Sequence, residues 1–206
     1  MEFLVISDTH TKHNEMDIPK TDLLVFAGDA NVRSEESYFE FIKWFSKQDA
    51  KYKIFIPGNH DKYCELNQNL SIFIGAIYGV YVLIDEEIEL EGCRIYGSPF
   101  TPTFYDWSFM LNQEDMKEKW KSIPEGLDLL VTHGPPLGIL DLCPGGNVGC
   151  PELLEAVTKN KPKYHVFGHI HESYGVHKTE DTTFINGSVL DGRYRFHTKP
   201  IQGGII

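Results

Sequence analysis

Asp8-Thr9-His10, Gly28-Asp29, Gly58-Asn59-His60-Asp61, His133-Gly134 and Gly168-His169-Ile170-His171 place carboxylate, amide and imidazole side chains in five short clusters. Five of the nine histidines fall in them. Neutral imidazole together with carboxylate and amide oxygen suits Mn, Fe or Zn, whereas an all-oxygen set would suit Mg or Ca. Cys64, Cys93, Cys143 and Cys150 lie outside every cluster. The set therefore lacks the thiolates of a closed structural zinc site and leaves positions for water and substrate, as a catalytic centre requires. Taken singly, each cluster has a plain alternative: Asp8-Thr9-His10 can cap a helix, and His133-Gly134-Pro135 can make a turn. Their recurrence in five loops, each of similar composition, is what points to metal chemistry.

Those clusters need elements to hold them. Apolar runs at Phe3 to Ile6, Leu23 to Ala27, Ile54 to Ile56, Leu127 to Val131 and His165 to Phe167 each end in one of the clusters, and read as buried strands feeding loops at one end of a sheet. In open α/β sheets that end is where ligands bind. Helices are predicted for Glu35 to Gln48, with Phe39, Ile42 and Phe45 at helical spacing, for Gln113 to Lys121, and for Pro151 to Lys159, where Pro151 suits the first turn. Val80 to Ile84, Glu87 to Leu90 and Arg94 to Tyr96, separated by Asp85-Glu86 and Glu91-Gly92, read as adjacent antiparallel strands, so a mixed sheet is expected. Thr182 to Ile185 and Pro200 to Ile206 add terminal strands, and Gly134 to Pro151 forms the longest irregular segment.

The ordered series Asp8-x-His10, Gly28-Asp29, Gly58-Asn59-His60-Asp61, His133, Gly168-His169-x-His171 resembles the calcineurin-like metallophosphoesterase superfamily, over residues 8 to 171. The resemblance implies a four-layer α/β/β/α sandwich with mixed β-sheets. It implies that Asp8, His10, Asp29 and His171 hold one metal, that Asp29, Asn59, His133 and His169 hold the other, and that Asp29 bridges them. Two cations ~3.5–4 Å apart would supply a bridging hydroxide for in-line attack and neutralise phosphoryl charge. His60 is not a ligand in that pattern. Its place after Asn59 suits a general acid, with Asp61 expected to orient its ring and favour the imidazolium. Arg33, four residues after Asp29, is where some members contact substrate phosphate, and Asn59 and His60 would share that role. Val32 replaces the acidic residue that usually precedes this arginine, which counts against a protein Ser/Thr phosphatase.

Gly97-Ser98-Pro99, Tyr105-Asp106-Trp107, Thr132-His133-Gly134-Pro135-Pro136 and Ile185-Asn186-Gly187-Ser188 resemble the small metallophosphoesterase domain-containing branch. That resemblance implies phosphodiesterase activity on 2′,3′- or 3′,5′-cyclic nucleotides. Some members carry Gly where His169 stands; here the His is kept, which implies binuclear activity. Phe104, Tyr105, Trp107 and Phe109 can stack on a base, with core packing their more ordinary role. His13, His165, His177 and His197 are assigned no chemistry.

At 206 residues, 41% hydrophobic and 24% charged, one soluble domain spanning 1–206 is expected. The formal net charge of −11 disfavours broad adhesion to nucleic acid or an anionic membrane, so a phosphate substrate must find positive charge locally. No signal peptide and no stretch of ~20 apolar residues is visible, and the cysteine spacing suits free thiols in a reducing cytoplasm, with a Cys143–Cys150 pair conceivable because glycines lie between them. No P-loop or dinucleotide-binding glycine string follows any strand. The rival readings are a nucleotide-binding or scaffold protein on the same fold, a phosphomonoesterase and a nuclease.

Overall fold

A computed structural model describes residues 1–205. The first half of the chain forms β1 (Glu2–Ile6), β2 (Thr21–Phe26), α1 (Glu35–Ser46), β3 (Ala50–Phe55), α2 (Lys62–Leu66), α3 (Gln68–Ile77), β4 (Tyr81–Val82), β5 (Glu86–Leu90) and β6 (Cys93–Ser98). Then come β7 (Thr101–Pro102), β8 (Met110–Leu111), α4 (Gln113–Trp120), β9 (Leu129–Thr132), β10 (Leu142–Cys143) and β11 (Gly146–Asn147). The last part holds α5 (Pro151–Asn160), β12 (Tyr164–Phe167), β13 (Gly175–Lys178), β14 (Thr183–Asn186) and β15 (Ile201–Ile205).

Two large sheets result, in the orders β15-β1-β2-β3-β4 and β13-β14-β12-β9-β6-β5, beside two small two-stranded ones, β7-β8 and β10-β11. β1, β2 and β3 run parallel, as do β6, β9, β12 and β14, while β15, β13 and β5 are antiparallel edges. The continuous apolar character of β1 and β2 has a direct cause, because each strand is covered on both faces. Phe3, Val5, Leu23 and Val25 face the other sheet and pack with Ile95, Leu129, Val131, Val166 and Ile185. Leu4, Ile6, Leu24 and Phe26 face outward onto Tyr38, Phe41, Ile42 and Phe45 of α1 and Ile74 of α3. On the far side, Tyr96, Leu130, Phe167 and Phe184 pack under Met116 and Trp120 of α4 and Leu153 and Val157 of α5. The layers are therefore α/β/β/α. Full burial of one such Phe or Leu contributes roughly 1.5–3 kcal/mol, so these three apolar clusters hold the layers together.

The five strands expected to deliver polar residues do so at one end. α1 begins with a capping box on Ser34, and α5 begins with Pro151 after Cys150. Two expectations need correction. Val80 to Ile84 does not join an antiparallel set: its strand β4 pairs in parallel with β3, in the other sheet from β5 and β6. Apolar content alone does not reveal that the chain changes sheets between Val82 and Glu86. Phe104, Tyr105 and Trp107 are not core residues but are 47%, 68% and 42% exposed, and only Phe109 is buried. α2 and α3 carried no predicted helix; Leu66, Phe73 and Ile77 on them are exposed, which blurs the amphipathic pattern. Among the described residues the four cysteines are free, and no helix is long and apolar enough to cross a membrane. The last residue of the expected terminal strand, Ile206, lies outside the described residues.

Candidate metal centre

The loops after β1 and β2 lock together through their backbones: Asp8 N–H donates to the Gly28 carbonyl (2.9 Å) and His10 N–H to the Asp29 carbonyl (3.1 Å). Asp8, His10, Asp29 and His169 adopt left-handed backbone conformations, with φ of 58°, 43°, 61° and 70°. Such conformations are costly for non-glycine residues and persist where surrounding contacts over-determine them. Two neighbouring glycines show how tight the enclosure is. A Cβ on Gly58 would collide with the Asp29 carboxylate, and one on Gly168 with Ser7 and Asp8.

Three groups of side chains converge here, each able to place its ligand atoms around one ion: Asp8, His10 and His171; His10, Asp29 and His60; and Asp29, His133 and His169. Asp29 stands between the halves. Its Oδ1 lies 3.3 Å from His133 Nε2, and its Oδ2 lies 3.7 Å from His10 Nε2 and 3.8 Å from His60 Nε2. Asn59 joins the second half, with Oδ1 at 2.9 Å from His133 Nε2. All seven predicted ligands are thus within one cluster.

The ring orientations are set from behind. His133 Nδ1 donates to the Ala27 carbonyl (2.8 Å), and His171 Nδ1 contacts the Leu190 and Asp191 carbonyls (3.0 and 3.2 Å). Each ring therefore turns Nε2 toward the centre, the arrangement by which outer hydrogen bonds fix the ligating nitrogen. Asp8 Oδ2 accepts from His169 N–H and Ser188 Oγ, both at 2.8 Å, which leaves the buried Oδ1 without a hydrogen bond. His165 acts at one remove: its Nε2 lies 2.8 Å from Thr132 Oγ1, which donates to the Gly134 carbonyl (2.7 Å) and braces the turn carrying His133.

This donor set fits a cation. His133 Nε2 is surrounded by acceptor oxygens, and His10 Nε2 and His171 Nε2 meet at 3.3 Å. Such nitrogen and oxygen atoms converge without repulsion only around a proton or a metal ion. Burial alone would keep His133 neutral, but the Asp29 carboxylate outweighs it and raises the pKa to about 9. Burial would likewise raise Asp29, yet His133 above all, then His10 and His60, hold its carboxyl well below the usual range. Burial lowers His169 to about 4, which keeps it neutral and able to ligate.

Asp61 does not orient His60, contrary to expectation. Its buried carboxylate accepts backbone N–H groups from Gly58 (2.7 Å), Asp29 (3.0 Å) and Val32 (3.0 Å), and so ties two site loops together. Burial, the largest influence, lowers the pKa of His60, so the expected bias toward imidazolium is also absent. The group facing His60 Nδ1 is Arg33 Nη2 at 3.4 Å, while Arg33 Nε donates to Asn31 (2.8 Å). Arg33 thus stands beside His60 and outside the ligand groups.

A cleft of about 480 Å³ opens over the cluster, with Phe104, Trp107, Val148 and Tyr194 among its walls. Tyr194 meets the rings of His10 and His171 edge-on, at 4.7 and 5.6 Å between centroids. Sequence reasoning missed it, because it lies in an irregular segment and belongs to none of the quoted motifs. Ser188 had a signal in the Asn186-Gly187-Ser188 string, though not its role in holding Asp8.

Residues 1–173 match the family described as calcineurin-like phosphoesterase. Metallophosphoesterase domain-containing protein 1 of Homo sapiens is 39% identical over 229 residues, covering 97% of this chain and 69% of that protein. A UPF0046 protein of Caenorhabditis elegans is 35% identical over 224 residues, covering 98% of this chain and 79% of its own length. A solved structure from Thermus thermophilus shares the fold with a TM-score of 0.62 at 12% identity, over 98% of this chain and 97% of that one. Another reaches a TM-score of 0.70 at 15% identity, over 90% and 89% of the two chains. With a family match over that span, and relatives alike along nearly all of this sequence, the chain belongs to the calcineurin-like phosphoesterases, a family of metal-dependent hydrolases.

Proposed function

We propose that this chain is a binuclear metal-dependent phosphodiesterase acting on small phosphodiesters, with 2′,3′- and 3′,5′-cyclic nucleotides as the first candidates. The observation that supports it most is the stance of Asp29, whose two oxygens face different halves of the cluster. Asp8, His10, Asp29 and His171 would hold one divalent cation, and Asp29, Asn59, His133 and His169 the other. Mn is the first choice, with Fe or Zn as alternatives, since the donors are mixed nitrogen and oxygen without thiolate. When bound, the cations supply Lewis acidity, which neutralises charge on phosphoryl oxygens and acidifies water.

The chain's own groups do the rest. Arg33 opposite His60 Nδ1 favours the tautomer that carries its proton on Nε2, the nitrogen facing Asp29. To act as general acid the ring must first take a second proton on Nδ1, which the negative charge of bound phosphate favours; Nε2 then passes its proton to the leaving oxygen and a neutral imidazole remains, while Asn59 and His60 contact the phosphate. Arg33 serves phosphate binding through His60. The substrate is a small molecule taken up in the cleft, since a chain of net charge −11 gives a nucleic acid strand little to follow. Free thiols suit the reducing cytoplasm as the place of action.

The test is metal content together with Mn-dependent hydrolysis of bis(p-nitrophenyl) phosphate, p-nitrophenyl phosphate and the cyclic nucleotides, with Asp29→Ala as control. Diester turnover lost in Asp29→Ala is the expected result. Two metals bound without turnover would overturn the enzymatic reading in favour of a nucleotide-binding protein, and one metal at saturating Mn would overturn the binuclear one.

A further inference from the structure

Trp107 and Phe104 project from the segment between β7 and β8, against the natural tendency of large aromatic side chains to be buried. They are not scattered on the surface. The Trp107 ring lies 4.3 Å from that of His60, and the Phe104 ring lies 5.4 Å from that of His169 and 5.4 Å from Trp107. Tyr105 backs Trp107 at 5.6 Å and an interplanar angle of 33°. A continuous aromatic wall therefore runs from His60 to His169, and Phe104 and Trp107 both line the cleft.

Ordinary packing leaves this placement unexplained. Phe109, a few residues on in the same segment, is 1% exposed, so the fold buries aromatic side chains here where it needs them. The loop is also pinned: Thr101 N–H and Thr103 N–H donate to the Phe109 and Leu111 carbonyls, and Ser108 N–H donates to the Asn59 carbonyl. That last bond couples the wall to a ligand residue. A rigid aromatic surface held open to water beside a phosphate-handling site is suited to the face of another flat ring. Every nucleobase offers such a face, whatever its hydrogen-bonding edge.

We infer that Trp107 and Phe104 form a stacking subsite for the base of a nucleotide substrate, making them specificity-determining residues that reject phosphate esters without an aromatic ring. The inference rests on the phosphodiesterase reading above for what is turned over, but the binding it describes does not. Recognition is by ring face, so purine and pyrimidine esters are both accepted, the larger purine face holding better.

Two measurements separate the claims. In the first, the Mn-loaded protein is titrated with 5′-AMP and with ribose 5-phosphate while tryptophan fluorescence is followed. Of the three tryptophans, Trp120 is 2% exposed in the core, Trp44 is half-buried against the core on α1 and outside the cleft, and Trp107 lines the cleft, so 5′-AMP should quench and ribose 5-phosphate should not. The quench should vanish in Trp107→Leu. In the second, KM is compared for 2′,3′-cyclic AMP and ribose 2′,3′-cyclic phosphate, which share the reacting groups. Wild type should prefer the nucleotide by ~10-fold or more in KM. Trp107→Leu and Phe104→Leu should bring that ratio close to one, and Trp107→Phe should keep most of it.

Equal KM for both esters in wild type, or a Trp107→Leu loss confined to kcat and equal for both, would overturn the subsite and leave Trp107 as a positioning residue for His60. Base-dependent quenching without diester turnover would support the subsite while sinking the phosphodiesterase reading.

Discussion

His60, Arg33 and His133 illustrate how far single residues carry the chemistry. His60, with its Nδ1 opposite Arg33 and its Nε2 facing Asp29, is the proposed general acid. His60→Ala should lower kcat by ~10²–10⁴ while leaving metal content unchanged, the range for removing a general acid. Because His60 also stands near His10 and Asp29, metal analysis of that variant is decisive: loss of a metal would make it a ligand instead. His133 gives a pH dependence. Its pKa is raised to about 9 when no metal is bound, so below that pH a cation must displace its proton. Metal affinity should therefore climb from pH 6.5 to about 9, by up to roughly tenfold per pH unit for one displaced proton, and level off above. Calorimetry in buffers of different ionisation enthalpy would read the released proton directly; a pH-independent affinity would contradict the ion pair with Asp29.

Loops are positioned by partners distant in sequence, and Asp61 is the clearest case. Its carboxylate is the shared acceptor for Gly58, Asp29 and Val32, so Asp61→Ala leaves three backbone N–H groups in the interior without that partner. Each such orphan costs ~1–3 kcal/mol, and a total loss of at least ~3 kcal/mol should appear in urea unfolding. A variant with full stability but low activity would return Asp61 to the orienting role expected from its position beside His60. Gly168 makes a complementary prediction. Gly168→Ala drives a methyl group into Asp8 and Ser7, so it should displace a ligand and lower metal affinity, read by equilibrium dialysis, more than it lowers Tm.

For the molecule as a whole, folding carries histidines of opposite behaviour. His165 and His13 are buried, which lowers their pKa values to about 3 and 4. A depressed histidine contributes stability that is full above the unfolded value of ~6.5 and fades as pH falls toward the folded one. His133, raised instead, contributes below ~6.5 and loses that contribution as pH rises through about 9. The metal-free protein should thus lose stability on both sides of neutrality through these groups, and urea midpoints between pH 4 and 9 would show the dome. Divalent cation bound at the cluster should raise Tm, most at the alkaline end where His133 no longer holds a proton.

The sequence by itself determined the chemistry-bearing residue types, the five strands that deliver them and three of the helices, because those signals are local. A strand buried on both faces must be apolar along its length, and a loop at its carboxyl end must be polar, so Phe3 to Ile6 followed by Asp8 and His10 is legible from spacing alone. Only the tertiary structure decided what each polar group touches. Asp61 bonds partners up to 32 residues away instead of its neighbour, Tyr194 reaches His10 from the far end of the chain, and β4 pairs with β3 while its successors join the other sheet. Trp107 and Phe104 read as core by composition and stand in the cleft wall by geometry. Short-range patterning specifies which groups exist, whereas burial, hydrogen-bond partners and ring contacts depend on chain segments that meet only when both sheets have closed over the common core.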